Sequence, residues 1–272
     1  MLPTIVEERH PTKENGSSSS TANENISSSI SLNHSNVFVS SHPVLAHKIS
    51  VLRSSSSSPS TFRHVLREIT FHLGYEATKT LLTKSVQLTV PLGHEHMECS
   101  GSALAEKIAL IPILRSGLGM CDAMLELLPN SGVHHIGMYR GKDFLPIQYY
   151  NRLPKTCIYD VAYILDPVIS TSNTVSSVVG ILTKWGVKKI HVISVLASRS
   201  GLDSLISKYP NIQITLGAVD DELTKDGLIY PGVGDTGDRL FGTFFDEEID
   251  EEALLHPSKR RKTSEADLSS LK

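Results

Sequence analysis

The chain has 272 residues, enough for one or two domains, with a formal net charge of −3 and 40% hydrophobic residues. That balance fits a soluble globular protein and makes nucleic acid a poor partner. Three scattered cysteines, Cys99, Cys121 and Cys157, form no CxxC pair; they fit a reducing compartment and exclude a disulfide scaffold or a zinc ribbon. No apolar run approaches a membrane span, and the acidic start (Glu7, Glu8) is not a secretory signal.

Residues 1–36, rich in Ser, Asn, Glu and Thr, cannot bury enough apolar surface to offset ordering entropy and are expected to be disordered. The globular part, 37–245, opens with HPVLAHKISVLR, His42 to Arg53. A serine run ending at Pro59 reads as a loop. Ser60 or Thr61 is then expected to cap a helix whose apolar residues Phe62, Val65, Leu66, Ile69 and Leu73 recur at helical spacing. From Lys107 the pattern alternates. KIALIPIL, HHIGMY, VAYILDP, KIHVISVLA and NIQITLGAV read as strands, and GLGMCDAMLELLP, VSSVVGILTKWG and GLDSLISKYP as helices between them. Continuous apolar strands separated by helices predict an α/β fold, a twisted parallel sheet of about five strands with helices on both faces and the chemistry at its carboxyl edge. QLTVPL and LPIQYY read as arms outside that sheet, and HEHMEC as a polar hairpin loop, since its spacing fits no zinc template. Residues 246–272, acidic and then basic, read as a solvated tail; Lys259 to Lys262, KRRK, has the composition of a nuclear import signal.

Four loops carry candidate chemistry. In YILDPVISTSNT, Tyr163 to Thr174, a strand stops at Asp166 and small, hydroxylated residues lead into a helix. Exposed amides and the helix dipole would hold a phosphate there, and the carboxylate would accept hydrogen bonds from ribose hydroxyls. Read alone, the loop serves equally as a plain strand-to-helix turn. PILRSGLGM, Pro112 to Met120, places Arg115, a rigid fork suited to oxyanions, at a strand-to-helix turn. MYRGKD adds Arg140 and Lys142 at a strand end, where a diphosphate or only solvent is met. LIYPGVGDTGDRLFGT, Leu228 to Thr243, is dense in glycine and aspartate, and its exposed main chain suits the edges of a small flat base.

Together these segments resemble the uracil phosphoribosyltransferase family over roughly His42 to Thr243; YPGVGDTGD is the part specific to its uracil branch. The resemblance implies a type I phosphoribosyltransferase fold with a small hood and a β-arm. It implies transfer of a phosphoribosyl group from phosphoribosyl pyrophosphate to uracil, giving UMP and pyrophosphate in pyrimidine salvage, with magnesium carried on the donor rather than on protein side chains. By matching position, Arg115 and Arg140 would hold the diphosphate, Asp166 the ribose hydroxyls, and Ser170, Thr171, Ser172, Asn173 and Thr174 the 5-phosphate. Gly234, Asp235 and Thr236, with the main chain at Ile229, would bind uracil, Asp235 also reaching the donor. Asp235, Arg140 and Asp166 are the residues implied to be catalytic. The resemblance further implies a homodimer or larger homo-oligomer, GTP as an allosteric activator of some members, and a cytoplasmic enzyme. A mobile cover is expected, with 141–153 as part of it.

One departure stands out. The family's phosphate loop reads close to ATGGS, whereas this chain has STSNT, with Ser172 and Asn173 where glycines are usual. Asparagine tolerates left-handed backbone better than most residues; serine does so less readily but brings a hydroxyl. This leaves a second reading, a weakly active or inactive regulatory protein on the same fold. No GxxxxGK[ST] loop occurs in this chain, so no fused uridine kinase is expected within it.

Overall fold

The structure, a computed structural model, describes residues 35–141 and 145–243, with only the main chain of Arg140. The expectations for residues 1–34, for the tail 246–272 and for the basic run Lys259 to Lys262 lie outside the described residues.

The chain opens with β1 (Val37–Val39), α1 (Pro43–Arg53) and α2 (Pro59–Thr78). Both helices begin on a proline, whose fixed φ suits a first turn and whose missing N–H has no helical partner to lose. The cap of α2 is therefore Ser58, which accepts from the Thr61 amide at 3.2 Å, and not Ser60 or Thr61, which lie inside the helix. Its apolar stripe, Phe62, Val65, Leu66, Ile69, Leu73 and Ala77, is buried. Each large member contributes about 1.5–3 kcal/mol relative to exposure.

Next come β2 (Thr83–Leu92) and β3 (Glu95–Leu104), which pair only with each other as an antiparallel ribbon turned at Gly93 and His94. Of HEHMEC, only His94 is in the turn; the rest is strand. Alternation of side chains puts His96 and Cys99 on opposite faces, which explains why they form no metal cluster. β4 (Ile108–Leu114), α3 (Leu118–Leu127), β5 (Gly132–Val133), β6 (Ile136–Arg140) and β7 (Pro146–Asn151) follow. The chain continues through β8 (Val161–Leu165), β9 (Val168–Ile169), α4 (Asn173–Trp185), β10 (Lys189–Ser198), α5 (Arg199–Lys208) and β11 (Gln213–Asp220). It closes with β12 (Glu222–Leu223), β13 (Ile229–Tyr230) and α6 (Thr236–Phe241).

The main sheet runs β1-β11-β10-β8-β4-β6-β7. All neighbours along it are parallel except β6 and β7. LPIQYY is thus not an arm outside the sheet: as β7 it covers the open edge of β6, whose unpaired amides and carbonyls would otherwise face solvent, and a bulge at Gly137/Met138 bends the pair. α1, α2, α3 and α6 pack together on one side of the sheet, and α4 with α5 on the other. β8, buried along its whole length, lies at the centre and is followed directly by Asp166. Among the described residues no helix is long and apolar enough to cross a membrane.

Candidate active site

A cavity of about 460 Å³ opens where β4 and β8 end. Its wall brings together Arg115, Asp166, residues 170–174, Ile229 and residues 233–237. Two segments more than fifty residues apart, one suited to a sugar phosphate and one to a base, therefore share one pocket. Arg140 ends β6 opposite Pro146, but its side chain, like Lys142, lies outside the described residues.

Asp166 is placed by its strand. Five buried apolar residues fix β8 in the sheet, and the first residue beyond them emerges at the carboxyl edge. Asp166 stays 7% exposed, and Ser116 donates to its Oδ1 at 3.3 Å. Ser116 was not singled out from the sequence; only its place beside Arg115 hinted at it.

The loop after Asp166 is held from behind. Ser198 Oγ donates to the Ser170 carbonyl at 2.6 Å and accepts from the Gly201 amide at 2.9 Å, capping α5. A Cβ at Gly201 would lie 1.8 Å from the Ser170 oxygen, so only glycine lets α5 approach this closely. Ser170 is buried, and its hydroxyl donates to the Gly227 carbonyl. Ser170 thus ties the 170–174 loop to the turn between β12 and β13, and its hydroxyl is already committed.

Ser172 takes the left-handed conformation, φ 63° and ψ −3°, while Asn173 is the first helical residue of α4. The strained position of the loop therefore falls to the serine rather than to the asparagine. Ser172 makes no capping bond, and its hydroxyl is buried with no hydrogen-bond partner among the described residues. The amides at residues 173–175 precede the first helical bond, from Ser176 N to Ser172 O at 2.8 Å. A buried unpaired hydroxyl beside free helix-start amides is the donor set an oxyanion needs.

Arg115 follows a cis Leu114–Arg115 peptide and is half exposed. Its Nη2 donates to Asp238 Oδ1 at 2.8 Å and its Nη1 to Thr243 Oγ1 at 3.1 Å, with Thr243 in turn donating to Asp238 at 2.8 Å. The expected oxyanion ligand is thus braced by α6, an arrangement the sequence did not reveal because the partners lie more than a hundred residues away. Asp235 caps α6, accepting from Asp238 N at 3.0 Å. Gly234 has φ +72°, Thr236 is buried, and Tyr230–Pro231 is cis. Met138, Tyr139 and Tyr149 complete the wall opposite, the two tyrosine rings 6.1 Å apart. They reach it through the β6–β7 register, for which no sequence signal exists. The segment expected to be a mobile cover is in part this strand pair; residues 142–144 lie outside the described residues.

A parallel sheet with a carboxylate-terminated central strand, a phosphate-type helix start and an arginine on the next loop defines a type I phosphoribosyltransferase. The family model for uracil phosphoribosyltransferase matches residues 39–243, and the chain belongs to that family. It is 41% identical over 208 residues to the uracil phosphoribosyltransferase of Roseiflexus castenholzii, covering 76% of this chain and 98% of that one. The uracil phosphoribosyltransferase of Dictyoglomus thermophilum is 40% identical, with 76% and 99% covered. A solved structure, the AQ2163 protein of Aquifex aeolicus, superposes with a TM-score of 0.72 at 31% identity, covering 77% of this chain and all of the other. The protein is accordingly an enzyme of the glycosyltransferase class, a pentosyltransferase.

Proposed function

We propose that the protein condenses uracil with phosphoribosyl pyrophosphate to give UMP and pyrophosphate. The observation that carries this is the single cavity shared by Asp166, the 170–174 loop and the 229–236 segment. The 5-phosphate sits on the start of α4, receiving the Ser172 hydroxyl, the residue 173–175 amides and the Thr171 and Thr174 side chains. Asp166 accepts from the ribose hydroxyls and so fixes the anomeric carbon. Uracil lies against the main chain of Ile229 and Gly234 to Thr236. The bond from the anomeric carbon to the diphosphate breaks as the bond to the uracil nitrogen forms. Arg115, with Arg140, stabilises the charge gathering on the leaving oxygens.

The pocket's donor set is oxygen-rich, with the Asp166 and Asp235 carboxylates on its wall, and among the described residues no three metal-ligating side chains cluster. That chemistry suits a hard cation carried mainly by the donor's phosphates, with Asp166 and Asp235 the protein groups facing it. Magnesium bound there would neutralise the diphosphate. Asp235 also holds the start of α6 in register with the donor. The apolar hood of Met138, Tyr139 and Tyr149 limits water access, which protects the donor from hydrolysis.

The same reading makes residues 37–245 the catalytic domain, the enzyme cytoplasmic and a homo-oligomer, and GTP a candidate activator. The regulatory alternative suggested by Ser172 and Asn173 is not favoured, since the left-handed position is filled and its hydroxyl is available to a ligand. Purified protein incubated with labelled uracil, donor and magnesium, with and without GTP, is expected to form UMP, and cytosine, hypoxanthine and orotate are expected not to compete. Absence of UMP at high enzyme concentration refutes the proposal.

A further inference from the structure

The base-binding segment does not hold itself in place. Arg53, the last residue of α1, grips Asp220 at the end of β11 through two bonds of 2.7 Å. The same Nη1 donates to the Gly232 carbonyl at 2.9 Å, and the Gly232 amide donates to Asp220 Oδ2 at 3.1 Å. Gly232 is thereby held at both its amide and its carbonyl by one partly buried ion pair. Asp220 is 7% exposed, and neither it nor Arg53 lines the cavity. Gly232 itself has φ +55°, and a Cβ there would lie 2.1 Å from the Ile229 carbonyl. The pair thus stabilises a fold-back of the main chain between two pocket-lining residues, Ile229 and Val233. A bidentate arginine–carboxylate pair fixes direction as well as distance, which a lysine cannot do.

We propose that Arg53 and Asp220 are positioning residues for the base: they set the height of the Ile229–Gly234 main chain over the cavity, and so the affinity for the pyrimidine, without touching it. This rests on the assignment of residues 229–236 to uracil. The donor loop hangs mainly from Ser198 and Gly201 and meets the base segment's hairpin only upstream, where the Ser170 hydroxyl donates to the Gly227 carbonyl, so disturbing the pair should act far more on the base than on the donor.

The test is steady-state kinetics of full-length Arg53→Lys, Arg53→Met and Asp220→Asn, each with its thermal midpoint. KM for uracil is expected to rise roughly tenfold or more in Arg53→Met and Asp220→Asn and less in Arg53→Lys, with KM for the donor within about twofold of wild type. Arg53→Lys keeps the charge and the stem, so it reads the effect even if Arg53→Met does not fold. Gly234→Ala, a direct perturbation of the segment at φ +72°, serves as control. If Gly234→Ala raises KM for uracil and the Arg53 and Asp220 variants only lower the thermal midpoint, the positioning role is overturned and the pocket assignment stands. Equal rises in both KM values also overturn it. If Gly234→Ala leaves KM for uracil unchanged as well, the base assignment fails and takes this proposal with it.

Discussion

Ser172→Gly separates stability from binding. Ser172 sits at φ 63° with a buried hydroxyl that has no partner among the described residues. Left-handed backbone costs a side-chain-bearing residue roughly 1–2 kcal/mol, and an unsatisfied buried hydroxyl about 1–3 kcal/mol. Glycine removes both terms and adds about 0.5–1 kcal/mol of unfolded-state entropy. The net is a gain of about 1–4.5 kcal/mol, which for a domain of this size raises Tm by roughly 2–18 °C. Binding moves the other way. A hydroxyl donating to a phosphate contributes about 1.5–3 kcal/mol, so KM for phosphoribosyl pyrophosphate should rise about tenfold or more, with KM for uracil little changed. Differential scanning fluorimetry and initial-rate kinetics read the two effects separately. A lower Tm would mean that the serine is not strained. An unchanged donor KM would mean that its hydroxyl does not meet the phosphate.

Asp166→Asn keeps the shape of a largely buried side chain but weakens its acceptor strength toward the ribose, so kcat/KM should fall at least about a hundredfold with little change in Tm. Gly201→Ala pushes a Cβ into the Ser170 carbonyl, so it should raise the donor KM and lower Tm, measurable in the same assays. His191, buried against the Tyr163 ring and bonded to Thr215 at 2.8 Å, has its pKa pushed down by burial to about 4. The unfolded chain then binds more protons between about pH 6.5 and pH 4, so stability is full above that window and falls as pH drops through it, by on the order of 3 kcal/mol. Urea midpoints measured from pH 7 to pH 4 should show this slope in wild type and lose most of it in His191→Gln.

Much of the fold was legible because the central strands are apolar without interruption and the helices between them are amphipathic; β4, β8 and β10 need no tertiary information to be recognised. The edges were harder. β7 reads as an exposed alternating segment, and only its register with β6 shows that it closes the sheet and carries Tyr149 into the pocket. The start of α2 was misplaced because several hydroxyl residues in a row can each cap a helix, and the proline decides among them. In the site, Asp166 and the 170–174 loop were legible as a strand end meeting a helix start. Two features were not. The left-handed residue is Ser172 and not Asn173, since the helix begins at Asn173, two residues before the expected start at Val175. The braces that hold the pocket, Asp238 on Arg115 and Arg53 with Asp220 on Gly232, join residues that only folding brings together.

The central claim is that sugar-phosphate and base recognition converge on one cavity, and a crystal structure of the enzyme with UMP tests it most directly. The account predicts the phosphate on the amides of residues 173–175 and the Ser172 hydroxyl, the ribose hydroxyls on Asp166, and the pyrimidine edge on the main chain between Ile229 and Thr236. UMP bound with its base away from that segment, or with its phosphate away from the start of α4, would contradict it.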